Sequence, residues 1–247
     1  MNLDRVIAVR NTKTVYRDGN KCIKVFNAEY SKADVFSEAL NQARMEELGL
    51  NVPKVFEVTM IGDKWAIVSE FVKGKTLARL MEENPQKKSE YISLLVDLQM
   101  SVHAKTYPML NKLKDTIVYQ ISETEYDATT ICDLHAQLED MPKHNKVCHG
   151  DFNPTNVIIN DKGVPYIIDW SHLTQGNASA DVARTYIRFC INDDVESAEL
   201  YLDIFCNKSD TSKEYVKKWV PIVSASLSYK CNDKEREFFA KNVENVK

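Results

Sequence analysis

The chain has no apolar run long enough to cross a bilayer, no excess of basic residues and no pair of cysteines at metal-ligand or redox spacing. Each absence removes a class of function. A membrane-embedded protein needs a span of about 20 apolar residues, so none is expected here. A net charge of −4 and a pI near 5.8 exclude a general nucleic-acid binder, which needs a basic footprint, although a mildly acidic surface suits a cationic substrate. Six scattered cysteines, Cys22, Cys132, Cys148, Cys190, Cys206 and Cys231, read mostly as small buried hydrophobes kept reduced. The first residues, Met1-Asn2-Leu3-Asp4-Arg5, lack the charged start and apolar stretch of an export signal, which predicts a cytoplasmic location. Internal repeats and low-complexity segments are also missing. What remains is a chain of 247 residues, 44% hydrophobic and 28% charged, ordinary for a globular protein and long enough for two unequal lobes.

The densest signal is His149-Gly150-Asp151-Phe152-Asn153-Pro154-Thr155-Asn156, followed by Ile167-Ile168-Asp169-Trp170. It combines a carboxylate, an amide five positions on and a second carboxylate after an apolar run. Phosphoryl transfer needs these oxygen groups: one carboxylate takes the proton of an acceptor hydroxyl, while an amide and a carboxylate hold magnesium against the nucleotide phosphates. Two short apolar runs, 157–160 and 164–168, flank Asp161-Lys162-Gly163 and predict a hairpin. If Asn160 pairs near Val164, the register sets Asn156 opposite Ile168, so Asn156 and Asp169 emerge at one end of the ribbon. Pro154 pushes Asn153 towards an extended conformation and keeps Asp151 in a loop. Taken singly, Asp151 and Asn156 also suit turns and Asp169 a helix cap; spacing and register together favour the catalytic reading.

The first seventy residues read as strands with one helix. A hairpin about Asp18-Gly19 joins Lys13–Arg17 to Lys21–Phe26. Ser31-Lys32-Ala33-Asp34 gives a capping-box-like start to a helix carrying Val35, Ala39, Leu40, Ala43 and Leu48, ended by Gly49 and Pro53. A second hairpin turns at Ile61-Gly62-Asp63. Residues 77–142 are helical in pattern, with Tyr91, Leu94, Leu95, Leu98 and Val102 on one stripe and Ser122-x-x-Glu125 opening a run with Leu134 and Leu138. His103 and His135 read as packing or surface residues, and His149 as an anchor of the loop.

Around positions 147–184 the chain resembles the aminoglycoside phosphotransferase and choline kinase superfamily of small-molecule kinases. The resemblance rests on His149-Gly150-Asp151 with Asn156, on Ile168-Asp169-Trp170, and on Asp181-Val182-Ala183, which is similar to the family's Asp-x-Ala segment. It implies an α+β, bilobal protein-kinase-like fold, with a small antiparallel-sheet lobe at 1–72 and a larger, mainly helical lobe at 73–247. It also implies ATP and Mg2+ as cofactors and a small-molecule hydroxyl as acceptor, such as an aminoglycoside, a choline-like alcohol or a sugar.

Asp151 is then the catalytic base, and Asn156 and Asp169 are the metal ligands. The family's strand lysine and helix glutamate fall on Lys24 and Glu38, with Lys21 and Glu46 as alternatives. The segment 69–77 resembles its hinge, where backbone groups of Glu70 and Val72 would bind adenine and Gly74 lets the chain turn. Where many relatives carry a glycine-bearing phosphate loop, this chain has Arg10-Asn11-Thr12-Lys13-Thr14. Backbone amides, Asn11, or the hydroxyls of Thr12 and Thr14 are the groups available to replace it.

Later in the chain, Asp193, Asp194, Glu196, Glu199 and Asp203 are candidates to face a cationic substrate, and Trp219 with Tyr229 to cage a quaternary amine. Such acidic runs are ordinarily solvated helix faces and such aromatics ordinarily core. The expected assembly is a monomer or weak homodimer, without nucleic acid or membrane partners. The alternative function is a non-catalytic, nucleotide-binding regulatory module with the kinase-like fold. A protein kinase is disfavoured, because Gly150 and Trp170 stand where protein-kinase loops carry Arg and Phe.

Overall fold

The computed structural model of the chain describes residues 3–244. The expected lobes 1–72 and 73–247 both run past these limits; residues 1–2, which the export argument used, and 245–247 lie outside the described residues. Packing divides the chain into two compact units, Met1–Pro85 with Pro154–His172, and Gln86–Asn153 with Leu173–Lys247. The architecture is α+β, an antiparallel-sheet part followed by a mainly helical part.

The first unit is built on strands β1 (Val6–Val9), β2 (Lys13–Asp18), β3 (Lys21–Phe26), β4 (Val55–Ile61) and β5 (Lys64–Glu70), in the antiparallel order β1-β2-β3-β5-β4. Helix α1 (Lys32–Glu47) packs on it. Side chains alternate across the sheet. Ile23, Val25, Ala66 and Val68 form one cluster. Phe26 and Ile67 form another with Val35 and Ala39 of α1. Fully burying side chains of this size contributes about 1.5–3 kcal/mol each, which holds helix to sheet.

Three local expectations shift. The first hairpin turns at Gly19-Asn20 rather than Asp18-Gly19, because Asp18 still pairs with Lys21. Ser31 occupies the N-cap without a side-chain bond; its carbonyl accepts from the N–H of Asp34 and Val35 instead. Leu40, expected on the apolar stripe, is exposed.

A short strand β6 (Gly74–Thr76) leads into α2 (Leu77–Glu83). Gly74 is not there to turn the chain. A Cβ at this position would lie 2.1 Å from the Ile159 carbonyl oxygen, so glycine permits close strand approach.

The second unit comprises α3 (Lys88–His103), α4 (Leu113–Ser122), α5 (Ala128–Asp140) and strand β7 (Lys146–Cys148). Back in the first unit, β6 pairs with β8 (Val157–Asn160), which pairs with β9 (Pro165–Ile167) in a three-stranded sheet. The second unit resumes with β10 (Thr174–Gly176), α6 (Ala178–Ile191), α7 (Val195–Ser209), α8 (Lys213–Lys217), α9 (Trp219–Ser228) and α10 (Asp233–Glu244), and β10 pairs with β7.

Ser122 closes α4 instead of opening the next helix. Asp127 is the cap of α5, its Oδ1 accepting from the Thr130 N–H at 3.0 Å, since a carboxylate there satisfies an N–H that the helix leaves unpaired. The cysteines are all free, but only Cys148 and Cys206 are buried, so most are not core residues. Among the described residues no helix is long and apolar enough to cross a membrane.

Candidate active site

The alternation of β3 decides where its lysine points. Lys24 shares a face with Phe26, which packs with α1, so its ammonium is aimed at the helix. Glu38 meets it there, in the buried row Val35, Glu38, Ala39 and Gln42. The two are ion-paired through Lys24 Nζ and Glu38 Oε1, and Lys24 Nζ lies 3.5 Å from Asp169 Oδ1. Burial opposes the charge on Lys24, but the carboxylates of Glu38 and Asp169 outweigh it and raise its pKa. Glu38 is only 1% exposed. Buried ion pairs add little net stability, so this one points to a use for the ammonium.

Asp169 sits at the open end of the β8–β9 ribbon with φ 68°, in the left-handed region. Holding a non-glycine residue there costs about 1–3 kcal/mol, and such strain gathers at functional sites. Its neighbours hold it. The Ile168 N–H donates to the Asn156 carbonyl and the Ile167 N–H to the Asn51 carbonyl, both at 2.9 Å. From α1, Asn41 Nδ2 donates to the Trp170 carbonyl at 3.1 Å. The register foreseen from sequence is the one observed: Asn160 donates its N–H to the Val164 carbonyl, and Val157 opposes Ile167. Asn156, the last residue of a 3₁₀ turn Pro154–Asn156, therefore stands at the same end as Asp169.

A second lysine enters this centre that sequence reasoning passed over. Lys13 Nζ is 2.9 Å from Asp169 Oδ1 and 3.5 Å from Glu38 Oε2. Hairpin register held the signal. Val15 opposes Lys24 and Lys13 opposes Phe26, so the two lysines lie on one sheet face, diagonal to each other.

Among the described residues no three His, Cys, Asp or Glu side chains gather as a metal site. Magnesium does not require such a cage, because it binds through one or two carboxylates plus substrate phosphates and retained waters. A carboxylate and an amide at one ribbon end, Asp169 and Asn156, are a donor set of that kind. Glu70 and Val72 line a cavity of about 240 Å³ with Asp161 and Tyr166. The N–H of Glu70 donates to the Lys54 carbonyl and that of Phe71 to the Asn20 carbonyl, each at 2.8 Å.

Asp151 belongs to the second unit, in the loop after β7. Gly150, at φ 78°, lets consecutive N–H groups face one acceptor. That acceptor is Asp181 of α6, whose Oδ1 takes the Gly150 N–H at 2.7 Å and whose Oδ2 takes the His149 N–H at 3.2 Å. His103 Nε2 lies 2.9 Å and Gln99 Nε2 3.2 Å from the same Oδ2. Burial pushes the Asp181 carboxyl up, but the histidines and the Gly150 N–H overcome it and hold its pKa at about 2.

The loop is tied twice more. Thr185 Oγ1 donates to the Phe152 carbonyl at 2.7 Å, and the Asp151 N–H donates to His149 Nδ1 at 3.2 Å. Arg188 Nε lies 3.3 Å from Asp151 Oδ1, an ion pair, while Arg184, one turn earlier on α6, has its pKa lowered by burial. His149 is wholly buried, an anchor as expected. Asp181 entered the sequence reading only through resemblance, since no local pattern links it to a loop 32 residues upstream.

The acidic row proposed for a cationic substrate is largely matched by the unit's own cations. Asp194 pairs with Lys88 at 2.9 Å, Glu199 with Lys217 at 3.2 Å, and Asp203 with Lys213. Trp219 is buried, and Tyr229 packs edge-on against Tyr119 with ring centroids 6.2 Å apart, so the imagined aromatic cage is not formed.

Residues 8–215 match the model of the phosphotransferase enzyme family. No curated protein sequence matches the chain. Among solved structures it is similar to an aminoglycoside-3'-phosphotransferase of type VIII, at 18% identity and TM-score 0.69 over 90% of this chain and 93% of that one. It is also similar to a thermostable mutant of aminoglycoside phosphotransferase APH(4)-Ia in complex with ADP and hygromycin B, at 14% identity and TM-score 0.73 over 99% and 93%. The choline kinase LicA from Streptococcus pneumoniae aligns at 17% identity and TM-score 0.67 over 100% and 93%. At these identities the solved structures speak for the kinase-like fold, and the family match speaks for descent. The chain belongs to the phosphotransferase enzyme family.

Proposed function

We propose that the chain is an ATP- and magnesium-dependent kinase that transfers the γ-phosphoryl group to a hydroxyl of a small molecule. The observation that carries this reading is the pairing of Lys24 with Glu38 beside Asp169, the lysine, glutamate and aspartate arrangement that kinase chemistry uses to position phosphate and metal. Bound nucleotide would supply the phosphoryl group, and magnesium would neutralise charge developing on its oxygens. Lys24, held by Glu38, grips phosphate oxygens; Asp169 and Asn156 are the metal ligands; backbone groups of Glu70 and Val72 take the adenine edge. Asp151 accepts the proton of the acceptor hydroxyl as the new oxygen–phosphorus bond forms and the bond to ADP breaks. In this reading residues 1–72 carry the nucleotide and residues 73–247 the acceptor.

Neighbours solved with ADP, with AMP-PNP and hygromycin B, or with AMP support a nucleotide and a small acceptor. The decisive experiment incubates the protein with γ-labelled ATP, magnesium and a panel of aminoglycosides, choline-like alcohols and sugars. Label is expected on at least one acceptor, and only with magnesium present. Magnesium-dependent nucleotide binding without transfer to any acceptor, or to water, would favour the regulatory module instead.

A further inference from the structure

The stretch Arg10-Asn11-Thr12-Lys13-Thr14 contains no glycine, so close backbone approach to a polyphosphate is not what it offers. It offers Lys13. Its side chain is 11% exposed, with Nζ 2.9 Å from Asp169 Oδ1, 3.5 Å from Glu38 Oε2 and 5.7 Å from the Phe26 ring centre. With Lys24 it brings two ammonium groups onto two carboxylates. That set leaves Asp169, the carboxylate assigned to magnesium, already covered by an internal cation.

The backbone around Lys13 is fixed. The Asn27 N–H donates to the Thr12 carbonyl at 2.9 Å, Asn27 Nδ2 to the Asn11 carbonyl at 2.8 Å, and the Arg10 N–H to the Lys13 carbonyl at 2.8 Å. Only the side chain, a point charge on a four-carbon stem, has freedom to change partner. A divalent ion outcompetes a monovalent ammonium for one carboxylate oxygen, and the displaced ammonium, still in a poorly solvated place, needs another anion. A polyphosphate arriving with magnesium is that anion.

We propose that Lys13 is a second phosphate-binding lysine, which neutralises Asp169 in the free protein and passes its ammonium to the polyphosphate when nucleotide and magnesium bind. The proposal rests on the kinase reading of this site. It makes Lys13 the replacement for the missing glycine loop, a role that neither Asn11 nor the hydroxyls of Thr12 and Thr14 need fill.

Titration calorimetry at saturating magnesium tests it, with AMP-PNP and adenosine as ligands for the wild type, Lys13→Met and Lys13→Arg. The readout is the ratio of AMP-PNP to adenosine affinity, which a general disturbance of the unit leaves unchanged. Lys13→Met is expected to lower that ratio about ten- to a hundredfold, the worth of a charge-assisted contact, and Lys13→Arg to restore most of it. An unchanged or increased ratio in Lys13→Met overturns the proposal, because a lysine that merely plugs Asp169 would hinder nucleotide rather than help it. If the wild type itself binds neither ligand, the kinase reading of the site fails before Lys13 is reached.

Discussion

Two buried carboxylates, Glu38 in the first unit and Asp181 in the second, meet the cost of burial in opposite ways. Glu38 is neutralised by ammonium groups on flexible stems, Lys24 and Lys13. Asp181 accepts two backbone N–H groups and an amide and contacts a histidine, all fixed by their own elements. Flexible cations can change partner when a ligand arrives, whereas fixed donors cannot. The first arrangement suits a place that admits phosphate and metal. The second suits a scaffold that holds the Asp151 loop rigid. Substitutions in the two places therefore differ in kind as well as in size.

The largest effect belongs to the residue that the scaffold presents. Asp151→Ala should cost about 10²–10⁴-fold in turnover while leaving nucleotide affinity and unfolding midpoint near those of the wild type. Single-turnover transfer from labelled ATP measures the first, calorimetry and a thermal melt the others. Turnover equal to the wild type would remove Asp151 from the base role.

Next comes the scaffold itself. Asp181→Ala leaves donors from His149, Gly150 and Gln99 buried without their acceptor and should destabilise the protein by about 3–5 kcal/mol in urea unfolding. The pH dependence carries a sign. The Asp181 carboxyl is held at about 2, below its unfolded value near 3.9, so its contribution is full above roughly pH 4 and is lost as pH falls towards 2. Lys24 has the opposite sign: its pKa is raised, so its contribution is full below about pH 10.4 and is lost only in stronger alkali. Stability measured between pH 5 and 2 should therefore fall steeply in the wild type and less steeply in Asp181→Asn. Equal slopes would mean that other carboxylates dominate acid unfolding.

The contrast between the units also explains what could be read from sequence. The β8–β9 ribbon was legible because a two-residue alternation and one turn fix its register, and with it the placing of Asn156 and Asp169 at one end. Lys24 and Glu38 were legible for the same reason, one periodicity on a strand and one on a helix. Lys13 was missed although the register contained it, because a lysine at the start of a strand is ordinarily solvated. Asp181 had no comparable signal. Its partners come from α3 and the loop after β7, and long-range hydrogen bonds leave no spacing in the sequence. The α5 start was misplaced because Ser122-x-x-Glu125 satisfies a capping pattern locally while Asp127 does so with the helix that forms. The acidic row was misread because its charges were taken without the cations that tertiary packing brings to them.

A smaller effect tests the packing of the ribbon rather than its chemistry. Gly74→Ala places a methyl group 2.1 Å from the Ile159 carbonyl oxygen and 2.7 Å from the Asn160 Cα, both backbone atoms that cannot swing aside. Separation of β6 from β8 should cost about 1–3 kcal/mol in urea unfolding. No change would mean that the strands are free to part there, and that the ribbon end carrying Asn156 and Asp169 is less firmly set than its register implies.

The smallest effect is expected where a lysine–carboxylate pair, like that of Lys24 and Glu38 in kind, stands in an exposed setting. Lys73 Nζ lies 2.7 Å from Asp161 Oδ2, yet the two side chains are 74% and 57% exposed. Water and salt screen such a pair, so Lys73→Ala should change stability by about 0–1 kcal/mol and less at high ionic strength. The turn keeps its backbone tie in that variant, since the Asp161 N–H donates to the Lys73 carbonyl at 3.1 Å whatever the side chain. A loss above this range, insensitive to added salt, would show that an exposed pair can hold the ribbon in spite of screening by water.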